Sequence, residues 1–139
     1  MAIKIINNKA VAALPMILLI GGIIFEIGIA GLFINYFSGQ SIFGAKMSAQ
    51  ALVVAYGGIN DIVLKIIRDK NFPSGNYGFS ASGGSVEINV CKDVCVGSGK
   101  YKITSLGTAS QKKRKLETVL NVDSLTGEVK QEYLKEISL

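Results

Sequence analysis

The chain has 139 residues, 49% of them hydrophobic, and carries a formal net charge of +5 with no histidine. This length allows one modest domain besides a membrane segment. The lack of histidine excludes every Ser–His and Cys–His nucleophile pair. Mean hydropathy is +0.39, which is high for a soluble domain, and the excess lies toward the N-terminus.

A short basic leader, residues 1–9, precedes an apolar run over residues 10–37. The run has about 28 residues, and roughly 20 residues of α-helix cross a hydrocarbon core. It is too long for the core of a signal peptide. We therefore predict a transmembrane helix. Lys4 and Lys9 precede it without any acid, which predicts a single-pass protein with a cytoplasmic N-terminus and an external C-terminal domain.

Residues 38–70 regain a helical period and predict an amphipathic continuation, so that one helix extends from about Val11 to about Asp69. Asp61 and Lys65 stand four residues apart in the favourable order. Gly57 and Gly58 each weaken a helix by about 1 kcal/mol relative to alanine, so packing must support them. The predicted apolar stripe comprises Leu52, Ala55, Tyr56, Ile59, Ile62, Val63, Ile66 and Ile67.

The segment NFPSGNYG, residues 71–78, ends the helix, and the remainder of residues 71–139 alternates with period two. Short Gly-rich turns separate four or five strands, which predicts an antiparallel meander. The predicted apolar strand faces comprise Val86, Ile88 and Val90; Tyr101 and Ile103; Leu116, Thr118, Leu120 and Val122; and Val129, Gln131 and Tyr133. The fold class is therefore α+β, with the amphipathic half of the helix covering a small sheet.

This order of segments resembles type IV pilins and their pilin-like minor subunits. The stretch SAQALVVAYGGINDIVLKIIRDKNF, residues 48–72, resembles the helix region of the minor-pilin group often called PilX-like. The resemblance covers most of the chain in organisation and about residues 10–72 in sequence. It implies subunits that wait in the membrane, lose their leader to a prepilin peptidase and bundle their helices into an extracellular filament. The implied partners are other pilin-like subunits and the pilus assembly machinery.

The resemblance implies a leader cleavage, for which two registers are open. Cleavage between Ala10 and Val11 leaves a full-length apolar helix, but the fifth mature residue is then Pro15 and not the usual glutamate. Cleavage after Gly21 makes Glu26 the fifth residue but leaves about 16 apolar residues, which is short for a bilayer. We favour the first register or no cleavage. Some minor pilin-like subunits lack that glutamate, so its absence favours a minor or initiating subunit.

Glu26 then needs a separate explanation, because a carboxylate inside a bilayer costs about 2.5–3.5 kcal/mol even on the permissive insertion scale. Gly22, Glu26 and Ala30 are four residues apart and share one helix face. Small residues on either side let a neighbouring helix approach the carboxyl group. The alternative is a protonated glutamate that is merely tolerated.

The densest charge is KKRK, formed by Lys112, Lys113, Arg114 and Lys115. It is either a solvated turn or a contact for a polyanion such as DNA, anionic polysaccharide or lipid headgroups. No aromatic residue interleaves with it.

Cys91 and Cys95 leave three alternatives: a disulfide typical of an exported protein, two free thiols, or a metal site. A lone CxxxC in a chain without histidine is a weak zinc signal. We favour the disulfide, and we expect no cofactor.

The sequence therefore favours a non-enzymatic, pilin-like structural subunit. A membrane-anchored surface protein with a binding β-domain is the alternative, and an exported hydrolase or redox protein using the two cysteines is a third. GSGK, residues 97–100, precedes a strand and so predicts a hairpin turn, not a phosphate loop.

Overall fold

The computed structural model describes residues 8–81 and 83–138, so most of the predicted leader lies outside the described residues. One α-helix, α1, spans Asn8–Arg68 and thus includes the backbone of Ala10 and Val11. The chain divides into two compact units, Met1–Ile42 and Phe43–Leu139. The predicted long helix is confirmed, with its C-terminal boundary one residue from the expected position.

Five strands follow α1: β1 (Gly75–Ala81), β2 (Gly84–Lys92), β3 (Lys100–Ala109), β4 (Lys112–Val122) and β5 (Val129–Ile137). They form one antiparallel sheet in the order β1-β2-β3-β4-β5. Each strand therefore pairs with its neighbour in the chain, as the short Gly-rich connections predict. The α+β fold with a long N-terminal helix on a small antiparallel sheet is confirmed.

The core of the second unit lies between α1 and one face of the sheet. Its largest fully buried side chain is Tyr101, whose hydroxyl lies 2.8 Å from the carbonyl oxygen of Lys70. This hydroxyl therefore donates to the backbone just beyond the end of α1. The core also contains Val54, Ala55, Ile59, Ile62, Ile66, Val86, Ile88, Val90, Ile103, Leu116, Leu120 and Val122.

Small residues bring α1 close to β3. The Ser105 hydroxyl donates a 2.9 Å hydrogen bond to the Ala55 carbonyl oxygen. A Cβ on Gly107 would collide with the backbone of Ala51 and Ala55, and a Cβ on Gly58 would lie 2.7 Å from Ser105 Oγ. Neither position therefore has room for a Cβ atom beside its close-packed neighbours. The helix-weakening Gly58 is thus a packing residue, which confirms that tertiary contacts support it.

The buried face of α1 differs from the predicted stripe at two positions. Tyr56 is 41% exposed and Ile67 is 58% exposed, whereas Ala51, Val54 and Gly58 are buried. The reason is the close approach of β3, which centres the contact on small residues that a search for large apolar side chains passes over. The remaining stripe residues are buried or half-buried.

A β-bulge in β5 changes the predicted face of that strand. Thr118 pairs with Leu134, Val119 pairs with Tyr133, and Leu120 pairs with Gln131, so Glu132 is the extra residue. An extra residue reverses the side-chain alternation beyond it. Tyr133 therefore does not share the face of Val129 and Gln131, and the period-two assignment for this strand is wrong after Gln131.

A disulfide joins Cys91, near the end of β2, to Cys95 in the β2–β3 connection, which decides among the three alternatives for these cysteines. Asp93 has a positive φ of 62°, and its carboxylate accepts a 2.7 Å hydrogen bond from the Gly99 backbone amide. The GSGK segment lies in this connection, as predicted. The disulfide and the Asp93 contact together fix the loop.

Candidate functional site

The first unit presents an apolar helix surface. An 18-residue window within Ala13–Arg68 has a mean hydropathy of 2.5, and none of that window is buried, so α1 is long and apolar enough to cross a membrane. Large side chains such as Leu18, Phe25 and Leu32 are each about 70% exposed. A surface of this kind needs a lipid or protein environment to cover it.

The predicted helix–helix contact residues lie on this surface. Gly22, Glu26 and Ala30 fall within the continuous helix α1, where residues four apart share a face, and all three are exposed. Among the described residues, no atom other than those of its two chain neighbours and of the adjacent helix backbone lies within 4 Å of where a Gly22 Cβ would be. Space for a close neighbour is therefore present beside the carboxylate.

The second unit carries an apolar helix face that sequence reasoning missed. Val53, Tyr56, Leu64 and Ile67 recur at helical spacing and are 69%, 41%, 55% and 58% exposed. Asn60 is the polar member of this face. It lies opposite the buried face of α1, because Ala51, Ala55, Ile62 and Ile66 occupy the other side of the helix. We call these five residues the outer helix face.

A groove of about 260 Å³ continues this face toward the sheet edge. Tyr56, Val63 and Ile67 line its helix side. Its strand side is lined by residues of β5, including Val129 and Leu134. Since β5 is an edge strand, the groove adjoins backbone groups that are not paired on their outer side. The groove widens the apolar surface that the outer helix face presents.

The four residues of KKRK begin β4 directly after the turn at Ser110 and Gln111, so their side chains alternate between the two faces of the sheet. Arg114 Nη1 donates to Glu136 Oε1 at 2.6 Å, and its Nε donates to Ser48 Oγ at 2.9 Å. All four basic residues line one cleft of about 370 Å³ with Gly44 and Ser48 of α1. The four residues predicted to contact a polyanion thus line one cleft, and one of them, Arg114, already forms an ion pair with Glu136.

The face of the sheet away from α1 holds a charged network around Glu117. Lys102 Nζ lies 3.0 Å from one carboxylate oxygen of Glu117, and Lys135 Nζ lies 3.3 Å from the other. The Tyr133 hydroxyl donates to the same carboxylate at 2.8 Å. The hydrogen bonds from Lys102 and then Tyr133 lower the pKa of Glu117, while the bond to Glu117 raises the pKa of Tyr133.

This network was not predicted, because it depends on the β5 bulge that turns Tyr133 toward Glu117. The available signal was an isolated acid in the apolar strand KLETVLNV, between two strands that carry lysines. Register is needed to convert that signal into contacts. With two cations and a phenol satisfying one carboxylate, the arrangement is suited to holding strands together.

The same face has an open groove of about 580 Å³ over β1 to β4, lined by both polar and apolar residues. Asn89 Nδ2 donates to Asn76 Oδ1 at 2.6 Å beside it. The lining also includes Glu87, Thr104 and Lys115. These groups offer hydrogen bonds of both senses to a polar ligand.

Comparison with protein-family models, with curated proteins and with solved structures finds no match to this chain.

Proposed function

We propose that this protein is a pilin-like, non-enzymatic structural subunit of an extracellular filament, in a minor or initiating role. Residues 10–37 anchor the precursor in a membrane, and packing between α1 helices of neighbouring subunits drives assembly. The sheet is displayed outward. The partners are other pilin-like subunits and the assembly machinery that extracts them from the membrane.

The observation that carries the proposal is the outer helix face. A membrane anchor requires only the apolar run, which ends at Phe37. Beyond it, Val53, Tyr56, Leu64 and Ile67 keep α1 apolar on the side away from the sheet. A helix that simply covers a sheet is expected to be polar on its solvent side. Apolar residues on both sides indicate a second protein layer, which a bundle of α1 helices supplies.

Glu26 fits the same arrangement. It is the one charged residue in residues 10–37, and Gly22 and Ala30 flank it on one helix face. Interhelical contacts in membranes favour small residues that let backbones approach, with a polar group bonded across the interface. In this proposal a neighbouring α1 provides the hydrogen-bonding partner of Glu26.

The outer helix face can be tested with single-cysteine variants in cells that assemble the filament. Leu64→Cys places a thiol on this face, and Lys130→Cys places a thiol at another exposed position, on β5, as a matched control. The native cysteines are joined in a disulfide and do not react with a bis-maleimide. We expect crosslinked oligomers from Leu64→Cys and monomers from Lys130→Cys.

The same experiment without the assembly machinery separates assembly from collision in the membrane. Crosslinking at residue 64 should then fall to the level of the control. Equal crosslinking at residues 64 and 130, or no crosslinking at residue 64 in assembling cells, contradicts the proposal.

A permanently anchored surface protein with a binding sheet is the second candidate. The open groove over β1 to β4, with the polar side chains of Asn76, Asn89 and Glu87, favours it. In that case the intact chain stays in the membrane fraction whether or not an assembly machinery is present. Recovery of the chain in sheared filaments excludes this candidate.

A further inference from the structure

The cleft of the basic cluster, Lys112, Lys113, Arg114 and Lys115, contains one carboxylate among the residues that the structure describes. This is Glu136, and Arg114 already pairs with it. Within the described part of the chain, the ammonium groups of the three lysines form no ion pair and no hydrogen bond. Among the described residues, three lysines without an ion-pair partner thus lie on one short stretch of strand. Repulsion among them is relieved by a negatively charged partner.

The cluster lies at one definite end of the sheet. Arg114 contacts Ser48, and the cleft also contains Gly44. The opposite end of the sheet lies beside the C-terminus of α1, where Lys70 Nζ donates to the Ser124 carbonyl oxygen at 3.4 Å. The basic end is therefore the end that adjoins the earlier part of the helix.

Gly44 and Ser48 follow closely on the apolar run. Phe37 is its last residue, and Gly44 comes seven residues later. Seven residues of α-helix measure about 10 Å, and even a fully extended chain of that length measures only about 25 Å. The headgroup layer of a bilayer and its electrostatic field extend over a comparable distance.

We propose that Lys112, Lys113 and Lys115 bind the phosphate groups of an anionic phospholipid surface. Arg114 holds β4 against α1 through its bond to Ser48 and against β5 through its bond to Glu136. The inference rests on the membrane anchoring in the proposed function but not on filament assembly. Each lysine close to an anionic membrane surface adds to the attraction, so the three lysines act together.

Because the side chains of the basic cluster alternate between the two faces of the sheet, a membrane surface fits them better as a partner than a nucleic acid does. Lys112 and Arg114 project to the α1 side of the sheet, while Lys113 and Lys115 project to the other side. A nucleic acid that tracks one face reaches only half of these groups, and no aromatic side chain lines the cleft to stack on a base. A surface presented to the end of the strands reaches both sides, because long lysine side chains can extend toward it.

The test uses the full chain in lipid nanodiscs. The chain has no tryptophan, so one introduced residue is a unique fluorescent reporter. Gln111→Trp places it in the exposed turn beside the cluster, and Leu125→Trp places a matched control in the turn at the opposite end of the sheet. Nanodiscs contain phosphatidylcholine with a headgroup spin label, with or without about one-third phosphatidylglycerol.

We expect phosphatidylglycerol to increase quenching of Trp at residue 111 about twofold or more and to leave Trp at residue 125 unchanged. Raising the salt to about 0.5 M should abolish the increase, because exposed charges are then screened. Combining Gln111→Trp with Lys112→Gln, Lys113→Gln and Lys115→Gln should abolish it as well, with an unchanged circular dichroism spectrum.

Quenching that does not depend on phosphatidylglycerol overturns the inference, as does equal quenching at residues 111 and 125. A duplex DNA oligonucleotide added to phosphatidylcholine nanodiscs is the competing arm. DNA binding that requires the three lysines, without any lipid effect, assigns the cluster to nucleic acid instead. Failure of the chain to insert into nanodiscs overturns both this inference and the anchoring, whereas failure of the crosslinking at residue 64 affects only the assembly proposal.

Discussion

Ser105 on β3 donates a 2.9 Å hydrogen bond to the carbonyl oxygen of Ala55 in the interior of α1. Both residues are fully buried. A helix carbonyl has a second lone pair after its intrahelical bond, and here the sheet uses it. This bond requires α1 and β3 to lie close together, which is why glycine stands at positions 58 and 107.

The two adjacent glycines of α1 should respond oppositely to substitution. Gly58→Ala places a Cβ 2.7 Å from Ser105 Oγ and from Val86 Cγ2, and we expect this overpacking to cost about 1–3 kcal/mol. The Cβ of Gly57→Ala meets no described atom within 4 Å apart from those of its chain neighbours and the adjacent helix backbone. This substitution should therefore stabilise by about 0.5–1 kcal/mol through its higher helix propensity. The measurement is urea unfolding of the full chain in detergent, followed by circular dichroism. Stabilisation by both substitutions contradicts the close packing at Gly58.

The lowered pKa of Glu117 makes stability depend on pH on the acid side. Hydrogen bonds from Lys102 and Tyr133 favour the ionised carboxylate in the folded state. They hold the pKa of Glu117 below its ordinary value of 4.5. The resulting stabilisation is fully present above that value and is lost as the pH falls through the folded-state pKa. We expect Glu117→Gln to lower the free energy of unfolding by about 1–3 kcal/mol at neutral pH.

The difference between wild type and Glu117→Gln should shrink as the pH falls below about 4.5, the ordinary value. Glu128→Gln is the control, because the Glu128 side chain forms no ion pair in the described part of the chain. Unfolding curves collected between neutral pH and acid measure both effects. A difference that stays constant over this range contradicts the ionised network.

The disulfide between Cys91 and Cys95 closes a very short loop, so its contribution to stability should be small. The chain-entropy relation gives about 2 kcal/mol for such a loop. The free energy of unfolding of the double variant Cys91→Ser, Cys95→Ser should be lower by that amount. The folded variant should retain the sheet, because Asp93 also holds the loop through its hydrogen bond from Gly99. Wild type with reductant is the matched comparison and should give the same value. Loss of the folded sheet in either sample contradicts the prediction that the disulfide contributes little to stability.

Replacing the carboxylate of the apolar run should separate insertion from assembly. Glu26→Leu removes a group that costs energy in a bilayer, so membrane insertion should remain intact. If a neighbouring α1 bonds to Glu26, losing a contact of about 1–2 kcal/mol should reduce filament yield about tenfold. Glu26→Gln, which keeps a hydrogen-bonding group, should retain more of the yield. Unchanged assembly in Glu26→Leu means that the carboxylate was only tolerated.

Hydrophobic period was sufficient to predict α1, the strands and their faces in β2, β3 and β4, because a change from a helical period to alternation is visible in one sequence. The bulge at Glu132 could not be predicted in this way, since one extra residue leaves the local composition unchanged. The contacts of Tyr133 with Glu117 depend on that bulge.

The candidate surfaces were predicted only in part. The sequence shows Glu26 and the basic cluster, because both are conspicuous as charges. It does not show that Arg114 binds Ser48, a contact between residues 66 positions apart. The helical period of the sequence places Tyr56 and Ile67 in the buried stripe and so does not reveal the outer helix face. The close approach of Gly107 to Ala51 and Ala55 turns these two side chains outward.

The most direct test of the filament proposal is N-terminal sequencing of this chain recovered from sheared cell-surface filaments. The account predicts that the chain is present in that fraction and that its first residue is Val11, with residues 1–10 removed. Finding the intact 139-residue chain only in the membrane fraction of cells that assemble filaments contradicts the account and identifies the protein as a permanent membrane anchor.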